Sequence, residues 1–205
     1  MIKNKYRGQF IVFEGLDGSG QSTQVELLAN FLEKKGKEVL KTKEPTKDSK
    51  AGKIIEKVLA EKKKISPLKL QKLFSRDRKH HLKKIIIPAL KNGKIVISDR
   101  YFFSSFSYGK SDGLKLKKLY GLNRKFLKPD IVFFIDTSPE VSIGRVESRG
   151  KEKTLFEKLG KLKEVYQNYK EILEDYSQEN KVYFIKGERS ISQISEDIKS
   201  LVEKF

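Results

Sequence analysis

A glycine-rich segment near the amino terminus carries the side chains whose types and spacing are best suited to chemistry. Residues 10–23 read FIVFEGLDGSGQST, an apolar run that breaks into a loop. The segment matches the phosphate-binding pattern G-x-x-x-x-G-K-[ST] at Gly15, Gly20 and Ser22, but Gln21 stands at the lysine position. In that pattern the lysine reaches the β- and γ-phosphates of a nucleotide. The segment therefore predicts a nucleotide site in which a neutral amide replaces a cation.

The physical case for phosphate binding rests on the whole loop. Glycines without a Cβ let successive backbone N–H groups point inward at an anion, and a following helix adds the positive end of its dipole. The hydroxyl of Ser22 would bind Mg²⁺. We predict an ATP-binding segment made of Gly15, Leu16, Asp17, Gly18, Ser19, Gly20, Gln21, Ser22 and Thr23. Two plainer interpretations remain: an ordinary strand-to-helix connection, and a solvated Gln21 in a decayed site.

Apolar runs alternate with helical patterns along the chain. Strands are predicted at 10–13, 38–42, 94–98, 130–136 and 182–186. Helices are predicted at 22–35, 51–60, 67–92 and 191–205, and from Pro139 onward, with Pro88 kinking or interrupting the third. Because the strands are nearly all apolar, we predict an α/β fold of the P-loop NTPase type. This is a three-layer sandwich whose five-stranded parallel sheet carries helices on both faces.

Charged residues follow the predicted strands where ligands of parallel sheets bind. Strand two ends in residues 43–46 (KEPT), strand three in residues 99–101 (DRY) and strand four in Asp136. An aspartate beside a phosphate loop can hold the water shell of Mg²⁺, and an adjacent arginine can clamp phosphate. The plainer alternative is that Asp99 and Arg100 form a salt-bridged strand terminus.

Length and composition exclude several classes of protein. A chain of 205 residues, 37% of them hydrophobic, can form one sizeable core, so we expect a single domain over residues 1–205. The absence of cysteine excludes disulfides, thiolate metal sites and a thiol nucleophile, and favours a reducing, cytoplasmic setting. No segment approaches the ~18 apolar residues of a membrane span, so we expect no membrane partner.

The net charge of +18 raises the possibility of a nucleic-acid-binding protein. The lysines, however, recur through almost every predicted helix and are mixed with glutamates, and no zinc-finger spacing or RNA-binding aromatic motif is present. Attraction for polyanionic nucleotides and a composition typical of heat-adapted proteins account for the charge better. Dedicated nucleic-acid binding is therefore the less favoured alternative.

The chain resembles the thymidylate kinase family of P-loop nucleoside monophosphate kinases over nearly its full length. The matching segments are EGLDGSGQSTQ, KEPT, LFSRDR, DRYFFSSFSYG and PDIVFFIDTSPEVSIGRVESRG. Several spaced motifs in the right order are far more specific than a phosphate loop alone. The resemblance implies an ATP- and Mg²⁺-dependent kinase that converts dTMP to dTDP, and a homodimer formed through the long helices.

The resemblance assigns catalytic and metal-binding roles by position. Asp17 would contact the 3′-hydroxyl of the acceptor sugar and belong to the catalytic network, and Arg100 would grip the dTMP phosphate. Asp99 would join Ser22 in organising Mg²⁺. Arg145 and Arg149 would act as catalytic cations of a lid segment at about 145–156.

The acceptor pocket is assigned in the same way. Phe74 would stack on thymine, Arg78 would contact the base or the acceptor phosphate, and Tyr101 would press on C2′ and favour deoxyribose. The pocket would be completed by Ser104, Ser105 and Tyr108. Phe74 and Arg78 are four residues apart and share one helix face, as a stacking platform beside a cation requires. The alternative for Phe74 is a place in the core.

Three positions depart from the family pattern. Gln21 replaces the loop lysine, Lys43 stands where arginine often precedes Glu-Pro, and Gly109 stands where many members have glutamine or another polar residue. The lid cations, Arg145 and Arg149 with the lysines at 151 and 153, could compensate for Gln21. The alternative function is a catalytically impaired, nucleotide-binding pseudokinase.

Overall fold

The computed structural model describes residues 1–148 and 159–204, in which strands and helices alternate. The strands are β1 Phe10–Gly15, β2 Val39–Lys43, β3 Ile95–Asp99, β4 Ile131–Asp136 and β5 Val182–Lys186. The helices are α1 Gln21–Lys34, α2 Lys50–Leu59, α3 Pro67–His81, α4 Ile87–Lys91, α5 Phe102–Ser111, α6 Leu116–Asn123, α7 Pro139–Glu147, α8 Leu159–Ser177 and α9 Ile191–Val202. A π-helical segment, Leu82–Ile86, joins α3 to α4.

The five strands form one parallel sheet in the order β2-β3-β1-β4-β5. Successive side chains of a strand point to opposite faces, and β1 shows the consequence. Phe10 and Val12 pack into one buried apolar cluster with α3, α5 and α8, whereas Ile11 and Phe13 pack into a second cluster with α1 and α9. The predicted three-layer α/β sandwich with a five-stranded parallel sheet is confirmed.

The long helix predicted at 67–92 is divided where proline intervenes. Pro88 has no N–H to donate, so the regular hydrogen-bond ladder cannot continue through it. The chain passes through the π-helical segment and restarts as α4 with Pro88 in its first turn. The closing helix ends at Val202 instead of 205, and residue 205 lies outside the described residues.

Three helices, α5, α6 and α8, were not predicted individually. The sequence of α5, FFSSFSYGKS, is rich in aromatic residues and serine, which are only moderate helix formers. Phe102, Phe103 and Phe106 are completely buried there, so packing against α8 and the sheet stabilises this helix more than propensity does.

The strand register aligns the residues that end β1, β2 and β3. Asp99 pairs with Phe13 on one side and with Lys43 on the other. The glycine-rich loop starts two residues after Phe13, so the loop, Lys43 and Asp99 emerge together at the carboxyl edge of the sheet. Among residues 1–148 and 159–204, no helix combines the length and the apolar character needed to cross a bilayer.

Candidate active site

The loop between β1 and α1 has the backbone of a phosphate cradle. Gly18 and Gly20 have φ angles of +91° and +96°, which L side chains rarely adopt. A Cβ on Gly18 would lie 2.1 Å from the carbonyl oxygen of Ser142 in α7. Because α1 begins directly afterwards, at Gln21, its unpaired N-terminal N–H groups adjoin the loop. The loop can therefore surround an anion with backbone donors.

Gln21 is buried in the site, with 5% of its surface exposed. Its amide Nε2 donates a hydrogen bond of 2.6 Å to Oδ1 of Asp99. Its amide oxygen is buried and has no hydrogen-bond partner in the structure. The alternative of a solvated Gln21 is therefore wrong, because the side chain is turned inward onto another predicted site residue.

Asp99 receives hydrogen bonds from three side chains. Ser22 Oγ donates to its Oδ2 over 2.5 Å and Lys43 Nζ over 2.7 Å, while Gln21 occupies Oδ1. Burial acts to raise the pKa of Asp99, but the charge and hydrogen bond of Lys43 and the hydroxyl of Ser22 lower that pKa below its ordinary value. Asp99 is therefore ionised, and its ion-pair partner is Lys43 instead of the neighbouring arginine.

The same oxygens suit Mg²⁺. Ser22 Oγ and the Asp99 carboxylate are hard donors, placed side by side at the start of α1. In the part of the chain that the structure describes, no group of three or more His, Cys, Asp or Glu could hold a metal. A magnesium ion here would complete its octahedral shell with water and nucleotide phosphates, as this ion usually does.

Arg100 lies between the phosphate loop and α5. Its φ of +75° is unusual for a residue with a side chain, and its backbone N–H is held by Phe13 O at 2.8 Å. Its guanidinium donates to Asp17 Oδ1 at 2.9 Å and, through the other terminal nitrogen, to Ser104 and Tyr169. Burial acts to lower the pKa of Arg100, but the charge of Asp17 raises it well above its ordinary value. The arginine is a fixed cation.

Glu14 lies beneath Arg100 with no exposed surface. Its carboxylate accepts hydrogen bonds from the Tyr101 N–H at 2.8 Å, the Ser104 hydroxyl at 2.6 Å and the Tyr169 hydroxyl at 3.0 Å. Burial raises its pKa from 4.5 to about 7, although the charge of Arg100 and these hydrogen bonds act in the opposite direction. This carboxylate therefore titrates near neutral pH.

A cavity of about 190 Å³ opens beside the loop and contains the predicted acceptor residues. Its walls are Asp17, Lys43, Glu44, Pro45, Leu59, Gln71, Phe74, Arg78, Arg100, Tyr101, Ser104, Ser105 and Tyr108. Phe74 is half-buried, and its ring contacts both the cavity and the apolar core. Tyr101 is completely buried, and its hydroxyl donates to Leu127 O at 3.0 Å. Tyr108 donates to Asp17 Oδ2 at 3.2 Å.

Arg78 is fixed from three sides within this cavity. Its Nε donates to Glu44 at 2.7 Å, one terminal nitrogen to Asn123 at 2.5 Å and the other to Ser105 at 3.1 Å. His81 supports Glu44 in turn, with Nδ1 3.1 Å from its second oxygen. Arg78 is 1% exposed, and these partners hold its plane at the cavity wall.

A second cavity, of about 200 Å³, lies on the other side of the phosphate loop. Arg145 lines it and donates to the carbonyl oxygens of Ser19 and Gly187 at 3.3 and 3.2 Å. Thr23 also lines this cavity. Arg149 and the predicted lid residues 150–156 fall outside the described residues.

Asp136 does not face either cavity as a free carboxylate. It accepts hydrogen bonds from Tyr166 at 2.7 Å and Lys170 at 2.9 Å, both on α8. The structure thus brings the ends of β1, β2 and β3 together in one site, while the end of β4 is engaged in packing α8.

The residues of the site that were not predicted include Glu14, Gln71, Asn123 and Tyr169. Glu14 had a sequence signal, since it is a charged residue inside an otherwise apolar strand. The others lie on α3, α6 and α8, outside the quoted motifs, and no local pattern distinguishes them.

The fold and this site define a protein of the P-loop kinase class, with a cavity next to the phosphate loop. A family model described as thymidylate kinase matches residues 13–198. A protein named "Probable thymidylate kinase" from Thermococcus gammatolerans is 42% identical over 206 residues, covering 96% of this chain and 97% of that protein. A "Probable thymidylate kinase" from Pyrococcus horikoshii is 42% identical over 203 residues, with the same coverage.

A more distant relative agrees with these. A protein named "Thymidylate kinase" from Caldicellulosiruptor saccharolyticus is 33% identical over 202 residues, covering 96% of this chain and 97% of its own length. The chain therefore belongs to the thymidylate kinase family, and it is a nucleoside monophosphate kinase.

Proposed function

We propose that this protein transfers the γ-phosphoryl group of ATP to the 5′-phosphate of dTMP, giving dTDP and ADP. The observation that carries the proposal is the position of Asp17, which belongs to the phosphate loop and also lines the acceptor cavity. A donor phosphate in the loop and an acceptor phosphate in the cavity would therefore meet beside it. The names of the relatives support dTMP as the acceptor.

Phosphoryl transfer requires that the protein position the two phosphates and neutralise their charge. The acceptor phosphate is already ionised, so an oxygen of dTMP can attack the γ-phosphorus directly while the bond to the β-phosphate oxygen breaks. Arg100 would bind the acceptor phosphate, and Asp17 would orient both Arg100 and the sugar hydroxyl. Ser22 and Asp99 would hold Mg²⁺, which neutralises phosphate charge when it is bound. Phe74 would stack on the base.

Arg145 and the assembly belong to the proposal as well. We infer that Arg145, which lies next to the loop carbonyl of Ser19, supplies a cation beside the phosphate loop. A homodimer through the long helices follows from the family resemblance. Light scattering after size exclusion would measure the mass of the assembly, and a mass near 23.7 kDa would contradict the dimer.

The decisive experiment is conversion of dTMP to dTDP by the purified protein with ATP and Mg²⁺, followed by separation of the nucleotides. Arg100→Met should abolish turnover, whereas Arg124→Met, an exposed arginine after α6, should leave it unchanged. Comparison with dCMP and GMP tests the acceptor. Binding of dTMP without formation of dTDP would instead identify the nucleotide-binding pseudokinase.

A further inference from the structure

The phosphate loop lacks a cation of its own, and the structure places a different one beside it. The neutral amide of Gln21 is bonded to Asp99. Lys43, the last residue of β2, brings its ammonium within 2.7 Å of Asp99 Oδ2 and 3.4 Å of Ser22 Oγ. A positive charge from a neighbouring strand therefore lies against the first residues of α1.

The other described cations near the loop are directed elsewhere. Arg100 is bonded to Asp17 on the acceptor side, and Arg145 to the carbonyl oxygens of Ser19 and Gly187 on the far side. Arg189, which also lines the cavity on the far side, pairs with Asp197. The Lys43 side chain is 58% exposed and has a flexible stem, so its ammonium can turn from Asp99 to a phosphate oxygen. It also lines the acceptor cavity, which places it at the junction of the two phosphates.

Resting on the phosphoryl transfer proposed above, we propose that Lys43 replaces the missing loop lysine as the catalytic cation on the γ-phosphoryl group. A bond forms between the acceptor phosphate oxygen and the γ-phosphorus, the bond from that phosphorus to the β-phosphate oxygen breaks, and the ammonium stabilises the charge of the transferring group.

The test uses Lys43→Met, Gln21→Lys and the double variant, with Lys41→Met as the matched control. Lys41 lies on the same face of β2, but its ammonium pairs with Glu26. We expect Lys43→Met to lower kcat by about a hundredfold. Adding Gln21→Lys to Lys43→Met should restore most of that loss, and Lys41→Met should leave kcat unchanged. Calorimetry should show that Lys43→Met weakens binding of ATP but not of ADP, because only ATP carries the γ-phosphate.

Several outcomes would overturn the proposal. One is a kcat of Lys43→Met within twofold of that of the unsubstituted protein. Another is an effect of Lys43→Met that is confined to the KM for dTMP and is not rescued by Gln21→Lys. Equal loss of ATP and ADP affinity would also contradict the γ-phosphate contact. If the unsubstituted protein forms no dTDP, the proposed function is wrong, but the comparison of ATP with ADP still decides whether Lys43 contacts the γ-phosphate.

A separate observation concerns the base end of the acceptor cavity. Gln71 is 2% exposed, and neither its amide nitrogen nor its amide oxygen has a hydrogen-bond partner. It lines the cavity three residues before Phe74, on the same side of α3. A Cβ on Gly109 would lie 3.3 Å from the Gln71 amide carbon, so the amide is next to Gly109. An unpaired buried donor and acceptor in a ligand cavity are costly unless a ligand satisfies them.

We infer that Gln71 recognises the base of the acceptor nucleotide, also on the basis of the proposed function. Thymine offers an N3–H donor beside its O4 acceptor, and a glutamine amide offers the complementary acceptor and donor in one plane. Phe74 would cover the ring face while Gln71 pairs with its edge. Gln71 is thus a specificity-determining residue.

Calorimetric titration with dTMP tests this without requiring turnover. Gln71→Leu should weaken dTMP and dUMP binding alike, by at least tenfold, because both bases present the same edge. Its melting temperature should stay equal or rise, since two unpaired polar atoms are removed. Lys72→Met, the exposed neighbour on α3, should change neither quantity. Unchanged dTMP affinity, or lost affinity together with a lower melting temperature, would overturn the inference.

Discussion

Replacing Glu14 with glutamine should change the way in which stability depends on pH. Glu14 has a folded-state pKa of about 7 against an ordinary value of 4.5, so the folded protein holds this proton more tightly than the unfolded chain does. The stability that this difference supplies is complete below pH 4.5 and is lost as the pH rises through 7. At about 1.4 kcal/mol per pKa unit, the loss is on the order of 3 kcal/mol.

Urea unfolding of both proteins at several pH values between 4.5 and 8 would measure this contribution. The stability of Glu14→Gln relative to the unsubstituted protein should increase by about 3 kcal/mol over that range, whatever its offset at pH 4.5. Glu140→Gln is the control, because pairing with Lys163 lowers the pKa of that exposed carboxylate. Its contribution to stability is lost only as the pH falls below about 4.5, so its stability difference should be nearly constant between pH 5 and 8. A stability difference for Glu14→Gln that does not vary with pH would refute the argument that burial dominates at this carboxylate.

Three further substitutions test the loop, a buried carboxylate of α3 and the base site. Gly18→Ala forces a Cβ against Ser142 O at a positive φ, so nucleotide binding should be lost and urea unfolding should show a cost of about 1–3 kcal/mol. Asp77→Ala removes the acceptor of the Thr46 N–H and hydroxyl and should cost about 2–3 kcal/mol by the same method. Phe74→Ala should raise the KM for dTMP at least tenfold in the kinase assay while leaving the KM for ATP unchanged.

The sequence predicted those parts of the site that local rules determine. A glycine-rich loop after an apolar strand has few possible conformations, and parallel strands must place their carboxyl ends on one edge. Gln21, Asp99 and Lys43 could therefore be placed near one another from the sequence alone. Their pairing could not, because whether Asp99 meets Lys43 or Arg100 depends on strand register and on the φ of +75° at Arg100.

The parts that sequence alone could not supply depend on contacts across the chain. Arg78 was predicted from its motif, but its partner Asn123 lies 45 residues further on, at the end of α6. Tyr169 reaches Glu14 from α8 across 155 residues. Helix α5 forms because its phenylalanines are buried, although its composition gives little helical signal. Tertiary packing determines these two hydrogen bonds and the formation of α5, and no short segment of the sequence contains enough information to predict them.

The arrangement of charge in the described site suits phosphate binding. Each arginine that lines the acceptor cavity is already held by a carboxylate, Arg78 by Glu44 and Arg100 by Asp17. Such cations are oriented before substrate arrives, so binding of dTMP need not order them. Lys43 differs, because its exposed side chain pairs with the Asp99 carboxylate, to which Mg²⁺ would also bind. Arrival of MgATP would therefore release the Lys43 ammonium at the moment when a phosphate becomes available to it. On the proposal made above, this coupling would allow the phosphate loop to function with a glutamine in place of its lysine.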